Sequence, residues 1–310
     1  MIVVSDNFVQ NPKVSVVIIT YNQEKYIAQA IESIVCQKTI FPFEVIIAED
    51  CSTDSTRNVC VDYQKQYPNL IRLILHEKNL GLIDNYKSAL KECKGEYIAE
   101  CGGDDFWCDE YKLQKHVDYM DKHDDVVVTY HDAKSIDMSD KILSQSFLTT
   151  DCKVDFSESA LKKCGWILPQ TMCYCAKMKD VFIKELNKNV KNEDTFITSI
   201  MGTFGRGGYL SEISPTAYRQ SPTGIWSMQN IAHKNLMKIS TYAELKKYYR
   251  KSEDKEIVVF LRDRIRVLFA DIQISQIENQ DKKWYVNLLL KNIDIIGFRD
   301  LFHYLKMLMY

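Results

Sequence analysis

Between residues 14 and 100, short β-branched runs alternate with longer segments of helical period, and this alternation constrains the fold more than any other feature of the chain. VSVVIIT at 14 to 20 ends at Tyr21 and Asn22, as a strand buried on both faces does. From Glu24 to Val35 the apolar residues Ile27, Ala30, Ile31, Ile34 and Val35 recur at helical spacing, and the segment closes before Pro42. The pattern repeats as strand 43 to 48 with helix about 53 to 66, then strand 70 to 75 with helix about 82 to 93. A fourth strand, EYIAE, follows Gly95. Such alternation predicts an α/β fold with right-handed crossovers and a mostly parallel central sheet flanked by helices.

In open sheets of this kind ligands sit beyond the carboxyl ends of the strands. Those ends are polar here: TYNQE at 20 to 24, EDCSTD at 49 to 54, HEKNLG at 76 to 81 and GGDDFW at 102 to 107. A helix at about 109 to 123 and a strand in DVVVTYHDAKSI come next, with a hairpin turn expected at Asp140 and Lys141 and a partner strand near 142 to 148. Residues 155 to 228 mix short elements with polar loops, including NEDTF at 192 to 196 and YRQSPTGIWS at 218 to 227. From about 233 the pattern is helical. A boundary is therefore expected near 230, dividing residues 1 to 230 from a helical C-terminal region, 231 to 310.

The 310-residue chain carries 40 Lys and Arg against 42 Asp and Glu, so no global excess of positive charge speaks for nucleic acid. The N-terminal residues lack a basic stretch followed by an apolar one, and no window approaches the ~18 apolar residues of a spanning helix. Ten cysteines without a CxxC pair exclude a zinc ribbon and read as reduced thiols. A cytoplasmic protein is expected, in which a local site meets any anionic ligand.

Asp104 and Asp105 are the first candidates for chemistry. The two glycines before them let the backbone approach a ligand closely, and adjacent carboxylates suit a Mg²⁺ or Mn²⁺ ion shared with phosphate oxygens. A solvated acidic turn is the competing reading. Asp50 can accept a hydrogen bond from a base N–H or cap the next helix, although Ser52 or Thr53 fits the capping position better. Asn79 and Gly81 equally suit a turn.

Taken together, VSVVIITYNQEKYIAQAIESI, IIAEDCSTDST and NLGLIDNYKSALKECKGEYIAECGGDDFW resemble the nucleotide-diphospho-sugar-binding half of an inverting, family 2 type glycosyltransferase of the GT-A fold. The resemblance runs from about Lys13 to Ser227 and weakens after Trp107. It implies a nucleotide-binding half at about 13 to 110 and an acceptor half at about 111 to 230. Thr20, Tyr21 and Asn22, with Glu24 close by, would lie against the base. Asp50 would accept from the N3–H of uracil or its equivalent, and Asn79, Gly81 and Asn85 would line the nucleoside pocket. The family's DxD-like motif falls on GGDD, so that Asp104 would reach the ribose or the metal and Asp105 would bind the cation that bridges the diphosphate. Gly102 stands where the first Asp of that motif is often found, which leaves Asp105 as the main ligand.

Glu193 and Asp194 are similar to the acidic pair that supplies the catalytic base of such enzymes, and Asp194 is the expected base for the acceptor hydroxyl. Capping of the following helix is the alternative. Arg219 could neutralise the leaving diphosphate or form a structural ion pair, and Ser221 occupies the place of a His common in the family. The QxxRW signature of processive members is absent, which implies transfer of a single sugar. Stretches 202 to 208 and 218 to 227 are candidates for a loop closing over the site. A UDP-sugar donor is favoured, with a saccharide or lipid-linked acceptor in cell-surface polysaccharide or glycolipid synthesis.

Toward the C-terminus Phe298, Leu301, Phe302, Leu305, Leu308 and Met309 form an apolar face, with Lys291, Arg299 and Lys306 elsewhere. Such a face can pack on its own domain, on a second copy of the chain, or on a membrane surface. Two other functional classes compete. Nucleotidyltransfer is disfavoured because the N-terminus lacks a glycine-rich, Arg-containing phosphate loop. A degenerate donor-binding or scaffold protein remains compatible with Gly102 and Ser221.

Overall fold

The computed structural model describes residues 1–3, 5, 7–221, 228–272 and 281–307, without the side chains of Arg299, Asp300, His303 and Met307. Its strands are β1 (Ile2–Val3), β2 (Val14–Thr20), β3 (Phe43–Glu49), β4 (Ile71–Leu75), β5 (Tyr97–Gly102), β6 (Val126–Tyr130), β7 (Ala133–Ile136), β8 (Ile142–Ser144), β9 (Cys173–Cys175), β10 (Arg206–Tyr209) and β11 (Thr216–Arg219). Its helices are α1 (Ile27–Val35), α2 (Thr56–Gln66), α3 (Leu82–Glu92), α4 (Lys112–Met120), α5 (Glu158–Lys162), α6 (Lys179–Glu185), α7 (Glu193–Met201), α8 (Ile231–Lys251), α9 (Lys255–Ala270), α10 (Lys282–Lys291) and α11 (Ile293–Met307).

The main sheet has the order β1-β4-β3-β2-β5-β9-β6-β10. β4, β3, β2 and β5 run parallel, and β1 and β9 run against their neighbours. Successive side chains of a strand point to opposite faces, and that alternation builds two cores. Val16, Ile18, Val45, Ile47 and Leu73 face Ile27, Ile31 and Ile34 of α1. Val17, Ile46, Ala48 and Ile74 join Tyr86, Ala89 and Leu90 of α3, and the same cluster continues through Phe196 of α7 into Leu236 and Tyr249 of α8 and Leu261 of α9. The C-terminal helices thus add to the second core.

Several sequence expectations are corrected. α1 and α2 begin about three residues late, because the residues before them are held in turns. DVVVTYHDAKSI is two strands, since Asp132 Oδ1 accepts from the amides of Ala133, Phe147 and Leu148 and bends the chain there. β7 then enters a separate sheet of order β11-β7-β8, with the hairpin turn around Asp137 and Asp140, whose φ is 65°. The supposed closing loop at 202 to 208 instead contributes most of β10, paired in parallel with β6. A Cβ on Gly208 would stand 2.8 Å from the Tyr119 ring, so glycine here serves packing rather than mobility. Of the second loop candidate, Pro222 to Ser227 lie outside the described residues.

α11 is interrupted by Gly297, at φ 77°. Leu301 packs inward while Phe298 and Phe302 are 72% and 70% exposed. Leu308 and Met309 lie outside the described residues, as does the side chain of Arg299. Among the described residues no helix is long and apolar enough to cross a membrane. All ten cysteines are free thiols.

Ile18 sits fully buried in β2, between β3 and β5. Ile18→Ala is expected to lower the unfolding free energy by about 2–5 kcal/mol in urea titration, from lost burial and the cavity left behind. The same change at Ile40, 92% exposed, should cost under about 0.5 kcal/mol.

Candidate active site

The loops after β2 and β3 are stitched together by their polar residues. Asn22, at φ 53°, donates its amide to Ser52 Oγ (3.0 Å) and accepts from the Thr53 amide (2.8 Å). Glu24 and the start of α2 bond reciprocally: the Glu24 amide reaches Asp54 Oδ2 at 3.2 Å, and Ser55 donates to Glu24 Oε2 at 2.8 Å. Asp54 Oδ1 also accepts from Thr56. The helix start is therefore served by Asp54 and Glu24, while Ser52 and Thr53, expected as caps, hold Asn22. Thr20 is 3% exposed and donates to Gln23. Of the residues expected against a base, Tyr21, 44% exposed, Asn22 and Glu24 are open to solvent.

Asp50 closes the next link. Its two carboxylate oxygens accept from the amides of Leu80 (2.7 Å) and Gly81 (2.9 Å), pinning the turn after β4 beside the end of β3. Gly81 adopts φ 80°, which favours glycine. Each oxygen keeps a second lone pair, so the carboxylate retains accepting capacity. Asn79 is exposed on this turn. Asn85 does not line an open pocket as expected. It is 3% exposed, with its amide on Ala48 O at 3.0 Å, and it anchors α3 to β3. Glu49 is likewise internal, ion-paired with Arg57.

After β5 the chain turns through Gly102 and Gly103 into the two aspartates. A Cβ on Gly103 would collide with Gln23 and Thr20, so this turn needs glycine. At Gly102 a Cβ would stand 3.1 Å from Asp104 Oδ1 and 3.3 Å from Asp105 Oδ2: the two carboxylates converge over a residue without a side chain. Burial raises the pKa of both, and the charge of Asp104 pushes Asp105 further, well above the usual carboxylate range. A cradle of two converging, under-compensated carboxyls fits a divalent cation whose remaining ligands are phosphate oxygens and water. Among the described residues no group of three or more His, Cys, Asp or Glu is arranged to hold a metal ion, and Ser221 adds no charge.

Arg219 braces this loop from behind. Its amide donates to Asp105 Oδ1 (2.8 Å), Nε to Asp104 O (2.9 Å), Nη1 to Asp137 O (3.0 Å) and Nη2 to Gln29 Oε1 (2.9 Å). Nη1 also pairs with Asp140 at 2.6 Å, the guanidinium lies 4.4 Å from the Tyr26 ring, and the side chain is 1% exposed. The expectation that Arg219 meets a leaving diphosphate is corrected: its donors are already committed within the protein.

Asn192 precedes α7 as its N-cap residue without a side-chain cap bond, and Glu193 and Asp194 form the first turn. Asp194 Oδ1 accepts from the Thr195 amide at 2.7 Å within that first turn, so neither acid takes the N-cap position. Burial raises both groups, Glu193 to about 8 with added repulsion from Asp194. Asp105, Glu193 and Asp194 all line one cavity of about 670 Å³. The other expected site residues lie in the strand-end loops or, like Arg219, behind them.

Residues 15–185 match the sequence profile of Glycosyl transferase family 2. The chain belongs to this family. It is 35% identical over 212 residues to the uncharacterized protein Rv1520 of Mycobacterium tuberculosis, a match covering 68% of this chain and 60% of that relative. The chain therefore spans about three fifths of the length of such relatives. The dTDP-rhamnosyl transferase RfbG of Shigella flexneri is 25% identical over 210 residues, 65% of this chain and 70% of RfbG. The fold matches S. aureus TarS 1-349 in complex with UDP-GlcNAc at a TM-score of 0.67 and 20% identity, over 93% of this chain and 82% of that one. The architecture is that of GT-A glycosyltransferases.

Other features of this family 2 site were not foreseen. Trp166, Phe147 and Tyr218 form a ladder of ring contacts, with centroids 5.7 and 4.9 Å apart, along the cavity. Glu100 also lines it, bonded to the Tyr86 hydroxyl, which meets that of Tyr174 at 2.9 Å. Burial raises Glu100 to about 7. Its place two residues before Gly102 on β5 was the available signal, since alternate strand residues share a face.

Because Arg219 joins buried groups from several elements, Arg219→Ala is expected to cost about 3–5 kcal/mol in urea unfolding. Asp140 is 54% exposed, and Asp140→Asn should cost no more than about 1 kcal/mol.

Proposed function

We propose that the chain is an inverting, metal-dependent glycosyltransferase that moves one sugar from a nucleoside-diphosphate sugar, UDP favoured, to a hydroxyl of a saccharide or lipid-linked acceptor in cell-surface polysaccharide or glycolipid synthesis. The observation that carries this reading is the single cavity lined by Asp105 and by the Glu193–Asp194 pair. TarS holds UDP-GlcNAc on the same fold, and RfbG is named for a dTDP-sugar, which supports a nucleotide-sugar donor.

In this reading residues 13 to 110 hold the nucleotide and 111 to 230 the acceptor. Tyr21 and Asn79 offer exposed surface to the nucleoside, and Asp50 uses its remaining lone pairs. Asp105, assisted by Asp104, holds a Mn²⁺ or Mg²⁺ ion. Such an ion, when bound, supplies positive charge to the leaving diphosphate. The acceptor oxygen attacks the anomeric carbon, the bond to the β-phosphate oxygen breaks with its electron pair, and the acceptor proton passes to Asp194. In-line displacement puts base and leaving group on opposite faces of the sugar, so configuration inverts. Two neighbouring carboxyls do not readily both ionise. Glu193, raised to about 8, keeps its proton at neutral pH and leaves the charge to Asp194.

Calorimetric titration with UDP, GDP, CDP and TDP, each with and without Mn²⁺, tests the donor site. One nucleotide should bind with metal and lose at least about tenfold in affinity, roughly 1.4 kcal/mol, without it or in Asp105→Ala. Absence of binding by any nucleotide under both conditions overturns the reading in favour of a scaffold. Asp194→Asn should leave that binding intact and lower turnover by about 10²–10⁴, the scale of general base catalysis.

The raised Glu193 also has a stability consequence. Its folded pKa of about 8 exceeds the ordinary 4.5, so the folded state holds the extra proton between those values. Its stabilising contribution is full below about pH 4.5 and is lost as pH rises through 8. Urea midpoints measured across that window should fall less steeply with pH for Glu193→Gln than for the wild type.

A further inference from the structure

The cavity also carries positive charge that the donor reading leaves unused. Lys191, exposed, and Lys238, half-buried, both line it. The Lys191 amide donates to Thr241 Oγ1 at 3.0 Å. Lys238 stands three residues before Thr241 on α8, so this bond brings the backbone of Lys191 to within about one helical turn of Lys238. Behind them Arg264 of α9 bonds the hydroxyl of Tyr242, another lining residue. The ammonium groups feel this crowding. Lys191 is lowered by burial and then by Lys188, and Lys238 by burial and then by Arg264 and Lys234. Glu100, Asp105, Glu193 and Asp194 line the same cavity, so the cationic charge is confined to the part of the wall carrying Lys191 and Lys238, with Lys188, Lys234 and Arg264 nearby, and an anionic group would be drawn to that part.

We infer that Lys191 and Lys238 seat a negatively charged group of the acceptor, a phosphate or a carboxylate, so that the enzyme glycosylates an anionic saccharide. The inference rests on the proposed role of Asp194. Lys191 lies three residues before that base, in the loop that leads into α7, whereas the leaving diphosphate belongs on the opposite face of the sugar with Asp104 and Asp105. An ammonium on a flexible stem, with three donors, suits either anion.

The test is a ligand-observed NMR titration of the protein, with and without UDP and Mn²⁺, using methyl glucoside, glucose 6-phosphate and glucuronic acid as probes. At least one acidic probe should bind about tenfold more tightly than the neutral glucoside, the scale of hydrogen bonds to a charged group. Which of the two leads tells phosphate from carboxylate. The advantage should shrink at high salt, vanish in the Lys191→Ala, Lys238→Ala double variant and survive when both are changed to Arg, with UDP affinity and melting temperature unchanged. Equal binding of all three probes by the wild type overturns the inference, as does an acidic preference that persists in the double alanine variant. A tenfold loss of UDP affinity in that variant also overturns it, by assigning the lysines to the donor. Failure of UDP to bind the wild type would instead strike the nucleotide-sugar reading, and the titration without UDP would still report on the lysines.

Discussion

Arg219 is the point on which the site's geometry depends. Through one side chain and its own amide it joins the acidic loop after β5, the hairpin between β7 and β8, and α1. No two of these are neighbours in sequence, and the smaller sheet meets the acidic loop mainly here and at the bridge between Phe106 and Ala217. The carboxyls of Asp104 and Asp105 repel each other and are half or fully buried, a placement that isolated acidic side chains resist. A buried guanidinium with its donors satisfied offsets part of that cost and fixes direction as well as charge. The loop can then present two carboxylates toward the same point without collapsing.

Electrostatics divides the cavity into regions with different work. Glu100, Asp105, Glu193 and Asp194 approach it from the sheet and α7, and Lys191 and Lys238 from the α7 and α8 side. Burial is the largest influence raising each of these carboxyls, and neighbouring carboxylates raise Glu100, Asp105 and Glu193 further, so each acid's state depends on the others. The tyrosine hydroxyls on Glu100 pull in the other direction and keep it from rising further. Such opposed influences let adjacent carboxyls of one site take different protonation states at a single pH, which one acid alone could not provide.

The fold was legible where a short-range period reports it. The runs at 14, 43 and 71 are strands because β-branched residues fill both faces, and the alternation with helices fixes a parallel order. Boundaries were less legible, since α2 starts where Asp54 and Glu24 can serve its free amides, and Glu24 lies 30 residues away in sequence. The break between β6 and β7 depends on Asp132 reaching Phe147 and Leu148, and β10 depends on close packing of Gly208 on Tyr119. Asp104 and Asp105 were readable from their place at a strand end, and Glu193 and Asp194 from their similarity to the family's acidic pair, whereas Glu100, inside β5, was not singled out. The commitment of Arg219 and the burial of Asn85 were not readable, because a polar residue near a site looks the same in sequence whether it faces the ligand or the scaffold. Trp166 and Lys238 lacked any local motif: Trp166 reaches the cavity from the loop after α5, and Lys238 through the packing of α8 against α7.

Gly102 ties these points together. A side chain there would enter the space between Asp104 Oδ1 and Asp105 Oδ2, at distances that force one of them to move. A third carboxylate would also add repulsion to a pair whose acidity burial has already weakened. Without it the loop keeps room and carries less negative charge, so a cation held by these two groups alone remains short of ligands. Under the proposed reading the missing oxygens come from the diphosphate, and each component then completes the other's site. Binding of nucleotide and metal becomes reciprocal, because a gain in affinity for one on adding the other must appear equally in reverse. The apparent deficiency of the GGDD motif is in this sense a coupling: the site assembles when the donor arrives, with Arg219 holding the protein's share of it in place beforehand.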